Sequence, residues 1–166
     1  MFWRRKTGDR PSNPFVGLRN QALASTAELA GWTTPPARRH VYGGMLDWGL
    51  GSGTATLFAL DDGTASLYLS SGGGVLGGGF HDSVRDSARA FVASFEPFLD
   101  RLDPDGEGAT PPGGSTDLRA LTLTGRLYVR IPNSEFIGPP QHPMAVVFEA
   151  GQALITQLRM VATRPT

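Results

Sequence analysis

Cysteine is absent from this chain of 166 residues, so disulfides and thiolate chemistry are excluded by composition. Long apolar runs are absent too. None approaches the roughly 20 residues that a membrane-spanning helix needs, and no basic start followed by an apolar core marks a secretory leader. The expected location is therefore the cytoplasm, with no membrane span. Lysine is almost missing: Lys6 stands against fourteen arginines, and alanine, glycine and proline are abundant, which points to a GC-rich bacterial coding sequence. Net charge is zero, which argues against a generally basic nucleic-acid binder. The balance is uneven along the chain. Residues 1–40 hold Arg4, Arg5, Lys6, Arg10, Arg19, Arg38 and Arg39 against Asp9 and Glu28, so this segment is positive and the remainder equally negative.

What is present in excess is glycine, concentrated in one place. Between Ser70-Ser71 and His81 the chain reads Gly72-Gly73-Gly74-Val75-Leu76-Gly77-Gly78-Gly79. Glycine is suited to positive φ and to close backbone approach, and it is entropically costly to order. The run invites two readings: a tight connection or flat contact surface, and a ligand loop.

The length suits a single domain with one core. Residues 1–15, with Phe2-Trp3 beside Arg4-Arg5-Lys6, show no sustained period and read as a disordered basic tail that could dock weakly to an acidic surface. Leu18, Ala22, Leu23 and Leu29 suggest one helix over 16–31, ended by Pro35-Pro36. Three strands are expected at 40–50, 54–60 and 64–70. Asp62-Gly63 favours a two-residue turn that would pair Leu60 with Ala65, Phe58 with Leu67 and Thr56 with Leu69. The first strand carries large apolar residues on both faces, Val41 and Met45 on one, Tyr42, Leu46 and Trp48 on the other, and should lie centrally.

Val84, Ala88, Phe91, Val92, Phe95, Leu99 and Leu102 form a helical stripe, capped by Asp82 or Ser83, with a break expected near Glu96 because Pro97 removes a backbone bond. Residues 103–117 have turn chemistry and no period, and read as a long mobile loop within a domain spanning 16–166. Leu127, Val129 and Ile131 alternate with Arg126, Tyr128 and Arg130, and with the run 135–137 suggest a second hairpin with one wet face. A last stripe, Met144 to Val161, reads as a closing helix.

The expected fold is thus α+β, a mainly antiparallel sheet of about five strands flanked by helices. This order of elements resembles the profilin and roadblock/longin group of small α/β proteins. A strand of the form Thr64-Ala65-Ser66-Leu67-Tyr68 followed by the glycine run is also similar to a group of uncharacterised bacterial proteins. The resemblance implies a protein-interaction scaffold, an adaptor or assembly subunit with a protein partner or a second copy, and no cofactor.

Several residues are candidates for contact with a ligand or partner. Ser71, Gly72, Gly73, Gly74, Gly77, Gly78, Gly79 and His81 lie before a helix start, and Gly72-x-Gly74-x-x-Gly77 formally matches a dinucleotide fingerprint. Against a nucleotide loop stand the antiparallel hairpin before it and the missing Gly-Lys-Ser/Thr. Arg126, Tyr128 and Arg130 share one strand face and suit a small anion or nucleic-acid platform, or simply a solvated face. Catalysis by Ser70 or Ser71 with His81 and Asp82 is disfavoured, since adjacent residues at a helix start point apart. His40, His81 and His142, even with Asp47, share no metal-ligand spacing.

Overall fold

A computed structural model describes residues 13–139 and 141–163. The basic tail, apart from its last three residues, lies outside the described residues. Helix α1 (Phe15–Leu23) is followed by strands β1 (Val41–Leu50), β2 (Gly53–Leu60), β3 (Ala65–Leu69) and β4 (Gly74–Val75), then helix α2 (Asp82–Ser94). Strands β5 (Asp103–Pro104), β6 (Ser115–Thr122) and β7 (Gly125–Pro132) and helix α3 (Ala145–Ala162) complete the chain. The fold class is α+β, with one sheet in the order β4-β3-β2-β1-β6-β7-β5 and every pairing antiparallel.

The sheet has seven strands rather than about five. Two of the additional ones, β4 and β5, are only two residues long. The full-length strand β6 begins inside the expected loop 103–117 and runs on through residues to which no element was assigned, and it is β6, not the run 135–137, that forms the second hairpin with β7. Residues 133–136 form a 3-10 turn instead. β1 is central, as its two apolar faces require.

The β2–β3 hairpin is shifted by one residue from the expected register. Leu57 faces Leu67 and Phe58 faces Ser66, because the turn spans Asp61-Asp62-Gly63 with the Gly63 N–H donating to Leu60 O at 3.0 Å. Gly63 takes φ +96°, the conformation that closes a three-residue hairpin. At the start of β1 a bulge between Val41 and Gly43 brings Tyr42 onto the same face as Met45.

Each sheet face has its own cover. Leu46, Leu57, Leu67, Leu118 and Ile131 pack under α2 and α3 with Phe91, Phe95, Val147, Leu154 and Leu158. Tyr42, Met45, Phe58, Tyr68 and Leu121 pack on the other side against Phe15, Ala22, Ala30 and Trp32. On the first face α3 comes close to β1 because residue 151 is glycine. A Cβ there would stand 2.6 Å from Leu46 Cδ1 and 3.2 Å from Phe91 Cε2.

The first helix stops at Leu23, well short of residue 31. Beyond it Trp32 N–H turns back to Ala27 O at 3.0 Å, and Gly31 takes φ +84°. The second α-helix ends at Ser94 and continues as a 3-10 turn with Pro97 near its start, so the break falls where proline removes a donor. Its N-cap is His81, which makes no side-chain cap. Asp82 is already the first helical residue and pairs with Arg85, in place of the expected capping by Asp82 or Ser83.

Candidate functional site

The glycine run divides into two turns. Gly72 and Gly73 (φ +101° and +84°) reverse the chain after β3, with Gly72 N–H donating to Leu69 O at 2.9 Å and Leu69 N–H to Gly73 O at 3.1 Å. Gly74-Val75 then pairs with Leu67 and Tyr68. Gly77 (φ +66°) opens the second turn, and Gly78 is buried against Leu158 and Val84. Ser71 and His81 are exposed at opposite ends of the run. These residues therefore do not converge on one cradle of free amides.

The three candidates on β7 lie beside a buried ionic network that sequence reasoning missed. Asp47, on the central strand, shares its face with Met45. Its carboxylate receives Arg19 from α1 through Nε at 3.1 Å and Nη2 at 2.7 Å, and also bonds Thr56 of β2 and Arg119 of β6. Arg119 is fully buried. Its Nε donates to Asp105 at 2.8 Å, and its Nη2 to Asp117 at 3.0 Å and to Ala109 O at 2.6 Å. Asp117 in turn holds Arg130 through Nε at 2.8 Å and Nη2 at 2.9 Å.

Strand register builds this arrangement. Arg119 pairs with Tyr128, Asp117 with Arg130 and Leu121 with Arg126, so all six share one face. The Arg119 guanidinium lies 5.5 Å from the Tyr128 ring centroid, within cation–π range. The segment after β5 closes the side. Asp105 N–H donates to Arg126 O, Gly108 N–H donates to Asp105 Oδ1, and Gly108 O accepts from Arg19, each at 3.0 Å or less. Burial alone would push the Asp105 carboxyl up, but the Arg119 hydrogen bond and charge, the Gly108 N–H and Arg126 outweigh it and hold it below its ordinary value. Hydrogen bonding to Asp117 raises Arg130 against the opposing effect of burial.

A cavity of about 190 Å³ opens here, lined by Pro104, Asp105, Glu107, Arg119, Tyr128 and Arg130 among others. The sequence signal that would have revealed the site is the pair of opposite charges, Asp117 and Arg119, alternating with Thr116, Leu118 and Ala120. That is the period of a strand rather than of a loop.

On the opposite face of the sheet, two apolar clefts run end to end along α3. One, of about 420 Å³, is lined by Trp48, Leu50, Leu67, Leu69, Val75 and Ile155, with Arg159 at its rim. The other, of about 360 Å³, is lined by Trp48, Leu50, Phe136, Ile137 and Phe148, with Asn133 and Gln152. Phe148, Gln152, Ile155 and Arg159 recur at i, i+4, i+7 and i+11, one stripe of the helix. The clefts are therefore halves of a groove between that stripe and the end of β1. Phe136 stacks on Phe148 at 4.0 Å, and Trp48 meets Phe148 edge-on at 6.3 Å, which gives the groove a stiff wall.

The histidines are dispersed. His40 bonds Glu96 at 2.7 Å, His142 Nδ1 accepts Met144 N–H at 3.0 Å, and no group of three or more potential metal ligands is assembled among the described residues. No helix among those residues is long and apolar enough to cross a membrane. No protein-family model, curated protein or solved structure matches this chain.

Proposed function

We propose that the protein is a non-enzymatic interaction module, an adaptor or assembly subunit with a profilin- or roadblock-like arrangement, that holds an apolar segment of a partner protein in the groove along α3. The observation that carries this reading is the groove's length and lining. The twelve residues of α3 from Phe148 to Arg159 span about 16 Å, eleven steps of 1.5 Å. That suits a short peptide segment better than a compact metabolite. Its walls are mainly aromatic and aliphatic, with Asn133, Gln152 and Arg159 as the few polar lining residues, and the Gln152 Nε2 amide is buried with no hydrogen-bond partner among the described residues, a mixture that suits a protein interface. Ile137 is 75% exposed and Leu50 38%, so apolar surface is already on offer.

A different protein fits the groove better than a second copy does. A two-fold dimer places the same patch against itself, and two concave grooves leave each other unfilled.

The test is site-specific cross-linking with the full chain. A photo-reactive side chain at Ile137 should capture one polypeptide species in cells, Leu50→Glu should abolish that capture, and the same group at the exposed Arg38 should not give it. A strictly monomeric protein with no cross-link specific to Ile137 overturns the reading.

A further inference from the structure

The buried network has one more cation than anion. Arg19, Arg119, Arg126 and Arg130 face Asp47, Asp105 and Asp117. At the cavity beside β7 the formal charges balance, Arg119 and Arg130 against Asp105 and Glu107, so what the site can hold turns on which of these groups still has donors to offer. Asp105 lines the cavity, but its oxygens are committed to Arg119 Nε and to the Gly108 N–H. Arg119 has donors on Asp47, Asp105, Asp117 and Ala109.

Arg130 is different. A guanidinium has five N–H groups in a planar fork. Asp117 takes one on Nε and one on Nη2, which leaves the Nη1 pair and the second Nη2 hydrogen without a partner among the described residues. The side chain is 40% exposed and lines the cavity. Because Asp117 clamps one edge of the fork, the other edge is already ordered and costs little further entropy to use. Two residues before it on the same face is Tyr128, whose hydroxyl enters no hydrogen bond among the described residues and whose ring rests near Arg119. A volume of about 190 Å³ is smaller than the roughly 300 Å³ at which drug-sized ligand pockets begin. It suits a single ionic group.

We propose that this cavity is an oxyanion site, which takes a phosphate or carboxylate group on the free edge of Arg130 and on the Tyr128 hydroxyl. Glu107, exposed at the rim, opposes an anion and tunes the site downward. The site is on the face opposite the apolar groove and is independent of it.

The test is an NMR titration of the full chain with inorganic phosphate, and in parallel with acetate, at constant ionic strength. Saturable shifts should cluster at 104–109, Tyr128 and Arg130. Saturation by phosphate alone identifies a phosphoryl ligand, and saturation by both identifies oxyanions in general. Arg130→Gln should weaken binding by about tenfold or more, the worth of one charge-assisted hydrogen bond, while Asp117 keeps Arg119 as partner and resonances of α3 stay in place. Tyr128→Phe should weaken it less. Glu107→Gln should tighten it about two- to fivefold. Linear shifts spread over surface arginines, an Arg130→Gln variant that titrates like the parent, or a Glu107→Gln variant that binds less tightly would each overturn the proposal.

Discussion

Arg19 of the first helix grips Asp47 of the central strand through two parallel hydrogen bonds, 3.1 Å from Nε and 2.7 Å from Nη2. Both side chains are buried, and Arg119 shares the same carboxylate from the neighbouring strand. One acid thus anchors a helix and two strands, and its loss leaves Arg19 buried with no carboxylate partner among the described residues, while Arg119 keeps Asp105 and Asp117.

Asp47→Ala should therefore destabilise the fold by about 3–5 kcal/mol, the cost of breaking a buried pair by removing one partner. Arg19→Met should cost clearly less, since Asp47 keeps Arg119 and the methionine fills part of the space. Urea denaturation of both variants checks this, and an equal loss would show that Arg19 does not share Asp47 in the way the geometry indicates.

The acid limb of stability should depend on Asp105. Its carboxyl is held below its ordinary value in the folded state. Its contribution is thus fully present above the unfolded value of about 3.9 and is lost as pH falls from there through the folded value. Asp105→Asn should lower stability at neutral pH and flatten the decline below about pH 4, as read by denaturant melts over a pH series.

Gly77 lies at φ +66° with open space around the position of a Cβ. Strain, not collision, should dominate there. Gly77→Val should cost about 1–3 kcal/mol, and Gly77→Asn distinctly less, because asparagine tolerates the left-handed region. Equal thermal shifts for the two would contradict a conformational role.

Gly151 poses the reverse case, with ordinary helical backbone and no room. Gly151→Val should cost about 1–3 kcal/mol through overpacking against Leu46 and Phe91. The near-ultraviolet dichroism of the aromatic core should change with it.

The apolar framework was legible because burial imposes period. The stripes of α2 and α3, the central place of β1 and the break before Pro97 all follow from spacing and from one missing donor. The network was not legible. Asp47 stood out only as a companion to the histidines, Asp117 fell at the end of the expected loop and Arg119 carried no signal of its own, and only pairing across β1, β6 and β7 places their charges together. Strand β6 was obscured for the same reason, since its charged positions face inward. The β2–β3 register turned on whether Asp61 belongs to the turn, which Asp62-Gly63 alone does not decide. Arg126, Tyr128 and Arg130 were rightly placed on one face, yet the carboxylate that orients Arg130 lies on a strand that went unrecognised.

The two outermost strands, β4 and β5, are each two residues long, and β5 ends in proline. A sheet finished this way presents only a short row of unpaired amides to a foreign strand. It is poorly suited to growth by strand addition, so fibril-like stacking through its borders is disfavoured. A contact formed at these borders would then rest on side chains, whose shape and charge differ from protein to protein, rather than on the backbone that every protein shares.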